Sequence, residues 1–338
     1  MQVCALRRAA LVLALAAAGG SALAQPTAAT AMAAGASTTP GWPSQAVKII
    51  VGFPGGSSPD LAARTLAEPL AQALGQPVIV ENRVGAGGNI GASAVARATD
   101  NHTIGLMING NLTIAKLINP KAIYDPLQDL VPVSLVGTAP LALAAPANAP
   151  GASAQEFFTA ARQAGDHWSY GTPGVGTVAH IGMELLKGKA GLNPVHVPYP
   201  GNPQVINAIL GGQIQLALLP PAMAAAQERA GKLRVLGVTS AGRSALVPHY
   251  PSLAEAGIAD FHLEIWNAVA APRSMPPSVV ARLSVLFSQI ARSPQVRDKL
   301  FQQGWQVTGT TAEGLARRIQ ADTRLLGGVI AARGIQSE

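Results

Sequence analysis

From Val47 onward the chain alternates short apolar, β-branched runs with longer amphipathic ones, the pattern of an α/β fold. Val47 to Phe53 is a short, mostly apolar and β-branched run, as a strand inside a sheet should be, and Pro54-Gly55-Gly56 ends it. Ser57 or Ser58 can cap a helix, Pro59 suits its first position, and Gly75 closes it after Leu74. Pro77 to Val80 and Thr103 to Ile108 read as the next strands, separated by a Gly/Ala-rich helix from Ile90 to Ala98. Val131 to Val136 and Leu141 to Ala145 form an apolar run divided at Gly137 and Pro140, which suits a crossing between domains. In the second unit, helices at 154–164, 178–189, 203–210 and 223–229 alternate with strands at 168–171, 195–199, 214–219 and 233–239. Helices near 277–290, 294–303 and 311–332 end the chain, and the alternation as a whole predicts mostly parallel sheets.

Three of the predicted helix starts share one chemistry. Each follows a strand and a glycine turn, so unpaired N–H groups and hydroxyls collect where the helix dipole favours negative charge. The first start offers Gly55, Gly56, Ser57, Ser58 and Asp60. The second offers Thr172, Gly174, Gly176 and Thr177, with His180 in the first turn. There the plainer alternative is a capped helix whose histidine satisfies local backbone groups. The third offers Tyr199, Gly201 and Asn202, although a tyrosine at a strand end is more often packing. Together they suggest a receptor for a small acid.

The beginning of the chain changes the compartment. Arg7 and Arg8 precede an apolar run from Ala9 to Ala18, and Ala22-Leu23-Ala24 has the small residues of a cleavage site. We expect a signal peptide over 1–24, cut after Ala24, and a flexible leader over 25–41. The only cysteine, Cys4, leaves with that peptide, so the mature chain has no disulfide, thiolate nucleophile or cysteine metal site. The net charge of +7 falls by the two signal arginines and has no basic cluster behind it, which argues against nucleic-acid binding.

Enzyme motifs are absent or incomplete. Gly85-Ala86-Gly87-Gly88-Asn89-Ile90 has isoleucine where a dinucleotide fingerprint needs its third glycine, and better suits close packing of a helix on the sheet. There is no phosphate-binding lysine loop and no G-x-S-x-G elbow. No two histidines stand four apart. A Ser57–His180–Asp60 hydrolase is conceivable, but Asp60 lies in the first turn after Ser57, where capping is the ordinary role. No catalytic residue, metal or cofactor is expected.

Several motifs in order resemble one family. They are V-G-F-P-G-G-S-S-P-D (51–60), V-I-V-E-N-R-V-G-A-G-G-N-I-G-A (78–92), Y-D-P (124–126) and G-T-P-G-V-G-T-V-A-H (171–180). H-V-P-Y-P-G (196–201), G-G-Q-I-Q-L (211–216) and A-G-K-L-R-V-L-G-V-T-S (230–240) continue the series. The match, from Trp42 to the C-terminus, is to the substrate-binding proteins of tripartite tricarboxylate transporters, the Bug family. The resemblance implies a periplasmic, two-lobed type II binding protein (a Venus flytrap) that traps a small carboxylate in the inter-lobe cleft. Its partners would be the membrane permease subunits or, alternatively, a periplasmic sensor domain, with the receptor itself a monomer. We expect lobe 1 from 42–140 plus 239–338 and lobe 2 from 141–238. In the family the loop at Gly55 to Asp60 and the loop at Thr172 to His180 grip one carboxylate. Asn109, Tyr199, Gly201, Asn202 and Leu219 are placed in the same cleft. The chain departs from the family where an acidic residue and an asparagine usually follow G-G-Q-x-x-L: here stand Leu218-Leu219-Pro220-Pro221. Met223 replaces a common serine, and Asn267 takes the position after the tryptophan of an S-W-F-G pattern. With no carboxylate there, an acid with an apolar or aromatic body is expected to fit better than an amino acid; the alternative is that the family's acidic residue is purely structural and its loss says little about the ligand.

Overall fold

The computed structural model describes residues 41–336, so the expected signal peptide and nearly all of the leader lie outside the described residues. The strands are, in order, β1 (Val47–Val51), β2 (Val78–Asn82), β3 (Thr103–Ile108), β4 (Leu130–Pro140), β5 (Ala142–Pro146) and β6 (Ser169–Thr172). They continue as β7 (Val195–Pro198), β8 (Leu216–Leu219), β9 (Leu233–Val238), β10 (Glu264–Pro272) and β11 (Gln306–Val307). Two sheets result, ordered β11-β4-β10-β3-β1-β2 and β7-β6-β8-β5-β9.

The first unit folds as its pattern dictates. β1 is buried along nearly its whole length, and the helix Ser58–Leu74 lays Ala62, Ala63, Leu66 and Leu70 against it at helical spacing. Gly75 ends that helix in the left-handed conformation, where a side chain would be strained. The glycine-rich motif at 85–91 packs on the end of β1: a Cβ on Gly91 would come within 2.7 Å of the Gly52 Cα. Its glycines therefore serve close packing.

The sheets are mixed, which corrects the mostly parallel expectation. β1 pairs in parallel with β2 and β3, and β6 with β7 and β8. The other strand-to-strand pairings, those among β3, β4, β5, β8, β9, β10 and β11, are antiparallel. The reason is the crossings: β5 enters the second sheet after Leu141 alone and β10 enters the first on the return, and each runs against the parallel core it joins. β10, which the sequence pattern did not reveal, lies between β3 and β4. Its run A-V-A-A is buried on both faces and shows no alternation to read. Between β9 and β10, Val247, Tyr250, Leu253 and Phe261 pack with clusters of the second sheet, not the first.

The two crossings are tied to each other. The buried Thr239 hydroxyl accepts from the Leu141 amide at 2.7 Å and donates to the Leu263 carbonyl at 2.7 Å. The Thr239 amide donates to the Leu141 carbonyl, and the Leu263 amide to the Thr239 carbonyl. Thr239→Val keeps the shape and orphans one buried N–H and one carbonyl, at about 1–3 kcal/mol. Urea unfolding should show a loss of about 2 kcal/mol; an unchanged midpoint would mean the clasp contributes nothing.

Candidate functional site

A narrow cleft with about 40 Å³ of enclosed space runs between the sheets. Phe53, Ser58, Ile108, Ile265, Asn267 and Trp305 line it from the side of the first sheet. Leu141, Pro173, Thr177, Val178, Asn202 and Pro220 line it from the other. All three helix starts singled out in the sequence meet here: Ser58-Pro59, Thr177 to Ala179, and Asn202. They open the helices Ser58–Leu74, Val178–Ala190 and Asn202–Leu210, whose first amides have no intrahelical partner.

No lining residue is ionisable. What the cleft holds instead is neutral polar groups without partners. Ser58 Oγ, Asn202 Oδ1, Trp305 Nε1 and both amide atoms of Asn267 are buried and unbonded, as is Ser57 Oγ one residue before the lining. Buried polar groups are normally paired, so this concentration at one cleft marks a place for a ligand.

The other expected residues sort into braces and backbone. Asp60 does not line the cleft. Its carboxylate accepts from the Gly56 amide at 2.9 Å, Asn82 Nδ2 at 2.8 Å and Arg64 Nε at 3.0 Å, and so closes the first loop. Burial alone would raise its pKa, but the hydrogen bonds from Arg64, Asn82 and Gly56 and the Arg64 charge hold it below the usual carboxylate range. Gly55 and Gly56 form the exposed tip of that loop. Asn109 donates to the Glu264 carbonyl at 3.0 Å and leaves its Oδ1 unpaired beside the cleft residue Ile108.

On the second loop Thr177 caps its helix, accepting from the His180 amide at 3.4 Å and donating to the Gly174 carbonyl at 2.8 Å. Thr172 Oγ1 is fully buried 2.7 Å from His196 Nε2 and accepts from the Gly174 amide. His180 accepts from the Gly176 amide at 3.4 Å and stacks on His196, with ring centroids 4.3 Å apart. His196 stacks in turn on Tyr170, whose hydroxyl donates to Glu184. His180 is therefore a loop support and is not among the lining residues. Tyr199 is half-buried against the second sheet's core, and Leu219 lies wholly within that core, leaving Pro220 to form the wall. Asn267 and Trp305 were not in the expected set: the first sits on the unread strand β10, the second beyond any glycine-turn signal.

Glycines shut the lobes on each other. A Cβ on Gly174 would lie 2.8 Å from the Gly87 Cα, one on Gly110 2.5 Å from the Gly176 carbonyl oxygen, and one on Gly201 2.8 Å from Pro54 Cδ. Gly174 and Gly176 also have positive φ. Their role is approach of the opposite lobe, which the sequence had assigned to approach of a ligand.

Two α/β lobes with loops from the strand ends facing a cleft define a type II binding protein. Residues 62–335 match the family described as "Tripartite tricarboxylate transporter family receptor". The chain belongs to that family, whose members are receptors and not enzymes. BugT of Bordetella pertussis is 32% identical over 78% of this chain and 81% of its own. A protein of R. palustris solved with adipate is 29% identical, with a TM-score of 0.82 over 87% of this chain and 99% of its own. MatC from Rhodopseudomonas palustris with bound malate is 29% identical, with a TM-score of 0.81 over 86% and 100%.

Two measurements check the site. Gly110 has no positive φ, so Gly110→Ala leaves its own lobe unstrained but crowds the Gly176 carbonyl. Closure should become costlier by about 1–3 kcal/mol, roughly five- to 150-fold in affinity, with ligand-free melting nearly unchanged. Unchanged affinity would place the lobes' meeting outside the binding cycle. The histidine stack gives a pH signature. Burial, then the neighbouring His180 and Lys187, lowers the His196 pKa to about 4 against the opposing pull of Glu184. Burial lowers that of His180 as well. The unfolded chain then takes up protons first, so stability complete above about pH 6.5 falls as pH drops towards 4. Between pH 7.5 and 5 the wild type should lose about 1–2 kcal/mol to His196 alone. His196→Gln should flatten that slope in denaturant titrations; an identical slope would remove the histidine from the account.

Proposed function

We propose that this protein is a periplasmic solute receptor that captures a small organic acid in the inter-lobe cleft and delivers it to a tripartite tricarboxylate-type membrane permease. The observation that carries the reading is the set of unpartnered neutral polar groups around an apolar cleft, with three helix starts turned towards it. The related proteins with adipate and malate support the choice of an acid.

Energetics divide the labour. A carboxylate at the start of Ser58–Leu74 would take the Ser57 and Ser58 hydroxyls and the first-turn amides. Each helix terminus supplies about 0.3–1 kcal/mol, or about 2 when partly buried. Micromolar binding needs about 8 kcal/mol. Burial against Phe53, Ile108, Ile265, Leu141 and Pro220 must contribute the rest, at about 25 cal/mol per Å² of apolar surface. The carboxylate grip thus fixes orientation, and the apolar walls select the body of the ligand. Closure brings the second and third loops onto the acid, and reopening at the permease releases it.

The test is thermal melting of protein refolded free of ligand, against C4–C8 dicarboxylates, citrate, aromatic carboxylates, acidic amino acids and matching amides. An acid at about 100 times its dissociation constant adds about 2.7 kcal/mol, several degrees of melting temperature. A shift with an acid and none with its amide is the expected result. No shift with any acid would overturn the reading.

A further inference from the structure

We propose that the last helix, Ala312–Arg333, is a strap across the waist that bends at Gly327-Gly328 when the lobes part, while each end stays anchored to its own lobe. This motion does not depend on which acid the cleft takes.

The helix is one unbroken element of 22 residues, about 33 Å long. Its two halves belong to different lobes. In the first half Leu315 and Ile319 pack with Leu130 and Leu135 of β4 and Trp266 and Ala268 of β10. Asp322 accepts from Trp266 Nε1 at 2.6 Å, Arg318 pairs with Glu264 at 3.1 Å, and Thr323 Oγ1 donates to the Thr113 carbonyl at 3.5 Å. In the second half Leu326 and Ile330 join the cluster of Phe157, Met183, Leu186 and Leu218 in the second lobe. Gly188 of the helix Val178–Ala190 leaves the space that the Arg333 guanidinium fills. Between the anchors at Thr323 and Ile330 stands the pair Gly327-Gly328.

Glycine inside a helix is less stable than alanine, so it needs a reason. Among the described residues, the other glycines within α-helices each face an atom no more than 3.2 Å from where a Cβ would stand. Gly327 itself faces Leu117 Cδ1 at that distance. Gly328 alone has nothing within 4 Å, is exposed and has no positive φ. Neither packing nor backbone conformation calls for glycine there. Freedom to bend does, and small-residue pairs are where helices kink.

The pair also stands where a bend is useful. Leu325 and Leu326, just before it, line a recess with His262, Leu263 and Glu264, where the chain returns to β10. Leu263 is clasped to Thr239 at the waist. A strap beside the axis of opening is bent by the motion and hardly stretched. If its far end let go instead, Leu326 and Ile330, now 2% and 7% exposed, would be brought into water. Bending at an exposed glycine loosens only a few backbone hydrogen bonds, which water can replace.

Spin labels read the opening. They are carried by Glu68→Cys on the helix Ser58–Leu74 and Asn207→Cys on the helix Asn202–Leu210, both exposed sites, with the only native cysteine removed by Cys4→Ser. Pulsed electron resonance on protein refolded free of ligand should show a short, closed distance and a long, open one. Gly328→Ala favours the straight helix and should lower the open-to-closed ratio about fivefold, the preference of a helix for alanine over glycine. Ile330→Val loosens the far anchor, which a bending helix keeps in both forms, so the ratio should stay within twofold. An unchanged or raised ratio in Gly328→Ala, or a single distance common to all three proteins, would overturn the inference. So would a larger change with Ile330→Val, which would mean that the helix lets go of the second lobe.

Discussion

Two crossings of the backbone, clasped to each other, set the terms for everything else in this molecule. Leu141 is the single residue between β4 and β5, and Thr239 begins the return. The Thr239 hydroxyl joins the two crossings and reaches on to Leu263, so the lobes share a narrow, fully hydrogen-bonded waist. Because the connection is this short, the two sheets must present their loops to a common space. Leu141 itself forms part of the cleft wall. The waist and the ligand wall are thus the same piece of chain, an arrangement in which closing and gripping are mechanically one event.

The site places no charged side chain among its lining residues. An anion buried by such a cleft is stabilised by oriented dipoles: hydroxyls, an indole, side-chain amides and the first amides of three helices. Dipoles fixed by a folded backbone need little reorganisation, and a neutral cleft leaves no ion stranded when the ligand departs. The charged groups nearby act one layer back. Asp60 ties Gly56, Arg64 and Asn82 together so that the first loop keeps its shape. Behind the second loop, Glu184, Tyr170, His196 and His180 form a stacked and hydrogen-bonded column. Rigid supports of this kind let neutral groups be aimed.

Glycine has a different use here from the one its sequence context suggests. A glycine-rich loop before a helix is read as room for a ligand. In this protein Gly110, Gly174 and Gly201 make room for the opposite lobe, and Gly91 for the end of β1. The backbone-to-backbone approaches close the edge of the cleft where side chains would hold it open. The shape of the cleft then depends on residues that need never touch a ligand.

Much of this was legible in the sequence. The apolar run of β1, the serine and proline at the following helix start, Gly75 at its end and Thr177 as a cap are local features, decided by neighbours within a few residues, and their pattern states them. The convergence of three helix starts was readable too, once strand, turn and helix were recognised three times over. β10 was not legible, because a strand buried on both faces has no polar alternation. Nor were Asn267 and Trp305, whose importance comes from having no partner, and a missing partner is a fact of three-dimensional packing. The same holds for Asp60 and His180, ligand candidates by position that the fold commits to bracing loops. Sequence determined the elements and the chemistry available at their ends. Tertiary structure alone decided which polar groups were satisfied by the protein and which were left for something else, since that depends on residues hundreds of positions apart meeting at one cleft.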